Sequence, residues 1–140
     1  MINDPVNHPS HYTSGPFECI LLTERYAGNL SNAIKYAYRH GNKNPGREGK
    51  NVEDLRKGLF YIRRAFGNGE TFKTADTRNN AAIDAQTYRR LLQLADLDYG
   101  GGRALWLALA DCETNIDARE KAVRAYERMV EKAEEEEARK

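Results

Sequence analysis

Cysteine is almost missing from this chain. Cys19 and Cys112 stand far apart, without the close spacing of a metal site, and each sits in an apolar helical context. Buried free thiols in a reducing compartment fit that pattern, and a disulfide-stapled secreted scaffold does not. Proline is scarce and uneven: Pro5, Pro9 and Pro16 crowd the start, and only Pro45 follows. No apolar run approaches the ~20 residues of a membrane span, and no secretory leader pattern opens the chain, so a cytoplasmic protein with no membrane partner is expected. Period-two alternation of apolar and polar residues is absent as well, which excludes half-buried strands and leaves an all-α fold. An excess of one charge is lacking too. The chain carries 22 Lys and Arg against 21 Asp and Glu, net +1, so the whole molecule is not a polyelectrolyte binder and a nucleic-acid partner is not expected.

What is present is organised around residues 29–43. At helical spacing, Leu30, Ala33, Ile34 and Ala37 form an apolar stripe that needs a core. Asn32, Lys35, Tyr36, Arg39 and Lys43 share another face. Like charges at i, i+4 cost a few tenths of a kcal/mol on an isolated helix. Folding alone does not ask for Lys35 and Arg39 to be stacked this way, and an anion would relieve them. Cations continue through Arg47, Lys50, Arg56, Lys57, Arg63 and Arg64, opposed only by Glu48, Glu53 and Asp54, whereas Glu134 to Glu137 make the tail acidic. A basic middle and an acidic end imply an anionic ligand for the middle, or ends of two protomers that meet.

At 140 residues the chain is one domain, or one domain with a helical extension. Residues 1–66 read as a core of a non-helical N-terminal arm plus three helices. Residues 67–80 read as a linking loop without hydrophobic period, and 81–140 as a C-terminal helical extension that oligomerises. The arm is expected to be ordered, laying His8, His11 and Tyr12 over a ligand. Its His-x-x-His pair has no third ligand beside it, so no metal is expected. The first helix is placed from Pro16 to a terminating Gly28, burying Phe17, Ile20, Leu21 and Leu22. The central helix closes at Gly41. The next runs from Asn51, with Asp54 as a capping-type carboxylate, to Gly67; it buries Val52, Leu55, Leu59, Ile62 and Phe66 and exposes Arg56, Lys57, Arg63 and Arg64. These two make a basic helical hairpin. A third long helix spans about Ala81 to Tyr99, burying Ile83, Tyr88, Leu91, Leu92 and Ala95. Gly100, Gly101 and Gly102 break the chain before a short helix, Arg103 to Cys112, that turns Leu105, Trp106 and Leu109 inward. The last helix starts at Asp117 and carries a narrow stripe, Ala122, Val123, Tyr126, Val130 and Ala133, facing a partner helix, with fraying past Glu134. That stripe, with an exposed neighbourhood around Trp106, predicts a homo-oligomer.

Several chemistries are excluded by what the motifs lack. There is no Gly-x-x-x-x-Gly-Lys-Ser/Thr phosphate loop, and the central helix holds no carboxylate with which to build a two-metal site. Ser10 lies near His8 and His11 without a recognisable acid partner. Recognition survives: Lys, Arg, Asn, His and Tyr bind phosphates, sugar hydroxyls and base edges with no cofactor.

Four stretches, Asn7-His8-Pro9-Ser10-His11-Tyr12, Glu18-Cys19-Ile20, Asn32-Ala33-Ile34-Lys35-Tyr36 with Arg39-His40-Gly41-Asn42-Lys43, and Glu53-Asp54-Leu55-Arg56-Lys57-Gly58-Leu59-Phe60-Tyr61, resemble the SaV-like family of small bacteriophage proteins. Some members of that family are described as nucleotide kinases that act on deoxynucleoside monophosphates without a phosphate loop or a required divalent metal. The resemblance covers roughly residues 5–66 and implicates His8, His11, Tyr12, Asn32, Lys35, Tyr36, Arg39, Lys43, Asp54 and Lys57 in ligand binding. Two positions depart from the family: Leu21 stands where an aspartate is common, and Ser31 where a glycine is. The expectation is therefore a phage nucleotide-binding protein that holds a phosphorylated ligand, such as a nucleotide-derived host immune signal, without turning it over. The alternatives are a metal-independent deoxynucleoside monophosphate kinase, and a non-enzymatic partner of protein or nucleic acid that uses Arg56, Arg63 and Arg64.

Overall fold

The structure, a computed structural model, describes residues 15–26, 28–42, 51–69, 85–111 and 116–139. Among them are six α-helices and no strand: α1 (Ile20–Thr23), α2 (Gly28–Gly41), α3 (Asn51–Gly67), α4 (Ala85–Asp96), α5 (Arg103–Asp111) and α6 (Ile116–Ala138), with a 3-10 turn at Tyr99–Gly101. The fold is all-α. The expected arm with His8, His11 and Tyr12 lies outside the described residues, as do Lys43, Ile83, Cys112 and residues 70–80 of the link. No helix among the described residues is long and apolar enough to cross a membrane.

The antiparallel pair α2 and α3 is the centre of the packing, and its two apolar stripes meet as their spacing requires. Leu30, Ala33, Ile34 and Ala37 of α2 are buried, joined by Tyr38; Val52, Leu55 and Ile62 of α3 face them. Fully burying one such aliphatic side chain contributes about 1.5–3 kcal/mol. Phe66, expected inside, is 39 % exposed. Ala65 takes the inward position one turn after Ile62, which leaves Phe66 off the stripe.

The first helix is shorter than its apolar residues promise. A single α-turn forms at Ile20–Thr23, and Arg25 and Tyr26 then donate to Leu22 O and Thr23 O, at 3.1 and 3.2 Å, in three-residue steps. One turn fixes too few bonds to propagate alone, so contact with α2 decides which side chains go inward. Those are Cys19, Leu22 and Tyr26, while Ile20 is 45 % exposed and Leu21 only half-buried. Gly28 does not end this segment. With φ +54° it opens α2 from the left-handed region, which a residue lacking Cβ enters without strain. Ser31 Oγ donates to Thr23 O at 3.0 Å and ties the two pieces together.

The C-terminal helices close the core. α6 packs against α3 and α5, and Ala122, Tyr126, Val130 and Ala133 of its expected stripe are buried inside the chain together with Ala118 and Met129, whereas Val123 is half-buried. Trp106 is fully buried, its indole N–H donating to Tyr99 O at 3.0 Å. Most of that stripe and Trp106 itself are thus covered within one chain, while Leu107 beside Trp106 stays 45 % exposed. Nor does α6 fray at Glu134; it continues to Ala138. In α4 the inward positions are Thr87, Leu91, Leu94 and Ala95, whereas Tyr88 is exposed and Leu92 half-buried. Tyr99 reaches back across the fold, donating its hydroxyl to Tyr38 O at 3.1 Å with the two rings 4.9 Å apart.

A buried contact ties α6 to both helices of the hairpin. The Tyr126 ring crosses α3 directly over Gly58 and its hydroxyl donates to Ala33 O of α2 at 2.6 Å. A Cβ at position 58 would strike that hydroxyl, so glycine is there to let the ring through.

Candidate functional site

The polar face of α2 is arranged around Tyr36. Lys35 Nζ lies 4.8 Å and Arg39 Cζ 5.8 Å from the centre of its ring, both within cation–π range. From α3, Tyr61 stacks on Tyr36 at 6.1 Å and 5° between ring planes. Phe60 meets Tyr61 edge-on at 5.4 Å. Four helical positions from α2 and one from α3 (Asn32, Lys35, Tyr36, Arg39 and Tyr61) are half-buried, at the depth where a ligand would be partly desolvated. Cations held over a ring lose little further rotamer freedom on meeting an anion, which favours binding.

Arg39 lies deepest. Its side chain is 26 % exposed, and its Nε stands 4.0 Å from Oδ2 of the buried Asp54. That separation is an ion pair without a hydrogen bond, and among the described residues the buried Arg39 Nε has no hydrogen-bond partner. Asp54, expected as a capping carboxylate, therefore also faces across the hairpin to Arg39. Lys35 is not ion-paired with any described residue.

Cys19 lies beneath this face. Burial pushes its thiol up to about 12, and the charges of Lys35 and Arg39 pull it back only in part. The thiol is therefore neutral and unreactive at neutral pH. Tyr126 reaches the hairpin from α6. Its phenol is driven upward by complete burial, then by the nearby Asp54 charge.

The cations of α3 do not join this group. Lys57 Nζ pairs with Glu53 on its own helix at 3.3 Å, while Arg56 and Arg63 pair with Glu134 and Glu127 of α6 at 3.5 and 3.4 Å. The basic hairpin thus divides: α2 presents Lys35 and Arg39, and Arg56, Lys57 and Arg63 of α3 face acids. Of the ten residues expected to bind ligand, Asn32, Lys35, Tyr36, Arg39 and Asp54 come together, Lys57 stands apart on the exposed side of α3, and His8, His11, Tyr12 and Lys43 lie outside the described residues. Tyr61 was not anticipated as a site residue. Its spacing of seven from Asp54 places it on the same side of α3, and that offset was available in the sequence.

Among the described residues no three His, Cys, Asp or Glu side chains are gathered where they could hold a metal ion. A concavity of about 670 Å³ lies elsewhere, between α3 and α6, lined by Leu59, Phe60, Val130, Arg56, Arg63 and Arg64. No curated protein and no solved structure matches the chain. Residues 6–63 match the model of a protein family of unknown function, DUF3310, a stretch that contains every residue expected to bind ligand and stops inside α3.

Proposed function

We propose that the face built on Tyr36 holds the phosphate of a nucleotide or nucleotide-derived small molecule. One observation carries the reading: Lys35 and Arg39 both stand over the Tyr36 ring, and among the described residues the first has no acid and the second has a buried Nε without a hydrogen-bond partner. A phosphate oxygen accepting from each would form charge-assisted hydrogen bonds of about 1.5–3 kcal/mol apiece. Contacts to the sugar or base through Asn32 and Tyr61 would bring the total toward the ~8 kcal/mol of a micromolar complex.

The four stretches that resemble the SaV-like phage proteins fall within or across the matched segment 6–63, and this supports the finer reading. In it the protein acts as a homo-oligomer in the cytoplasm of an infected bacterium and sequesters a nucleotide signal raised by host defence. Leu21, at the position where related chains commonly carry an aspartate, favours holding the ligand over turning it over. Denaturing the purified protein and identifying the released small molecules by mass spectrometry tests this directly. Release of an intact phosphorylated nucleotide is expected. Formation of nucleoside diphosphate from ATP and a deoxynucleoside monophosphate, with chelator present, would contradict holding and establish a kinase instead.

A further inference from the structure

The outer stripe of α6 has a charge order that its own helix does not explain. Lys121, Arg124, Arg128, Glu131 and Glu135 follow one another at steps of three and four residues, so they line one face, and all five are exposed. None is ion-paired with another described residue. The signs are segregated instead of interleaved. Arg124 and Arg128 are like charges at i, i+4, and so are Glu131 and Glu135, which disfavours the isolated helix. The order also runs against the helix dipole: cations occupy the N-terminal half, and the last turn carries carboxylates with no basic residue.

We infer that this face pairs with the same face of a second copy, the two α6 helices lying antiparallel about a two-fold axis. Under that symmetry Arg124 meets Glu135 of the second copy and Arg128 meets Glu131, and both pairs share one midpoint, between Met129 and Val130. A single register therefore satisfies both pairs twice, over about 16 Å of helix at 1.5 Å per residue. The opposed dipoles attract in the same arrangement.

The surface beside the stripe has the shape to accept a helix. A trough of about 480 Å³ runs between α5 and α6, floored by Ala104, Ala108, Ala118 and Ala125. Leu107, 45 % exposed, lies on its α5 side. Alanines allow axes to approach closely, and Lys121, Arg124 and Arg128 form the wall along which the acidic half of the second α6 would lie. This face shares no residue with the Tyr36 site, so it stands whether or not that site binds a nucleotide.

Charge exchange in the full chain tests the pairing, with molar mass read by light scattering and helicity by circular dichroism. Wild type is expected to dimerise, and Arg128→Glu and Glu131→Arg each to weaken self-association at least about tenfold with helicity unchanged, because each sets like charges face to face twice. An equimolar mixture of the two variants is expected to re-form a dimer, since both contacts across the axis then join unlike charges. Arg124→Glu and Glu135→Arg read the neighbouring contact in the same way should either first variant lose helicity. A wild-type chain that stays monomeric at about 0.1 mM, a single variant that associates like wild type, or a mixture that does not recover would overturn the inference.

Discussion

At Gly58 a hydrogen stands where any side chain would strike the Tyr126 hydroxyl, and the contact is between helices far apart in sequence. Gly58→Ala is therefore expected to destabilise the fold by about 1–3 kcal/mol through overpacking, measured by urea unfolding. Gly67→Ala serves as the control. Nothing lies within 4 Å of a Cβ there, so a change of about 0.4–1 kcal/mol in the stabilising direction is expected from reduced freedom of the unfolded chain. Nothing in the sequence marks Gly58 as a passage for a ring; in isolation it is only a weak point in a helix. Buried protons set a second expectation. Cys19 is raised from 9.0 to about 12 by burial, and Tyr38 from 10.0 to about 12 by burial against its bond to Phe17. Tyr99 and Tyr126 shift in the same direction. These groups keep their protons longer when folded, so their contribution is complete below the unfolded values and is lost as pH rises toward the folded ones. The stability of the protein should begin to fall above pH 9, by about 1.4 kcal/mol per pH unit for each group titrating only in the unfolded chain, and fall faster above pH 10. Cys19→Ala should remove the part of the slope between pH 9 and 10; chemical denaturation across that range is the check.

Elements were legible where a stripe was long and its end was marked. The apolar stripe of α2 and its end at Gly41, and the span Asn51–Gly67 of α3, all follow from spacing and glycine placement. The segment before α2 was not legible, because a one-turn helix takes its buried side from its neighbour and not from its own period. The same limit applied to α6: its stripe was plain, but the surface it covers is α3 and α5 of the same chain, which no local pattern states. The hairpin therefore depends on α6. A fragment ending at Gly69 would expose the α3 surface that α6 covers and lose the Tyr126 bond to Ala33. It is expected to melt without a cooperative transition, whereas the full chain melts cooperatively; circular dichroism against temperature distinguishes the two. The cross-helix pairs Arg56–Glu134 and Arg63–Glu127 are about half exposed and add little, so added salt should shift the full chain's midpoint only slightly.

Across the whole molecule, charge balance hides a division of labour. Arg56 and Arg63 of α3 are matched to α6, the outer face of α6 carries its own ordered charges, and α2 offers Lys35 and Arg39 around the Tyr36 ring. The sequence grouped all these cations together because periodicity assigns faces within a helix and not the partners across it. Lys35 is the residue on which to test phosphate binding at the Tyr36 face, since Arg39→Glu would also set a second carboxylate against Asp54. Isothermal titration of wild type and Lys35→Glu with whichever nucleotide co-purifies is the most direct measurement. Micromolar or tighter binding by wild type is expected, with at least about a tenfold loss in the variant and its melting temperature unchanged. Equal affinity in the two proteins would contradict it.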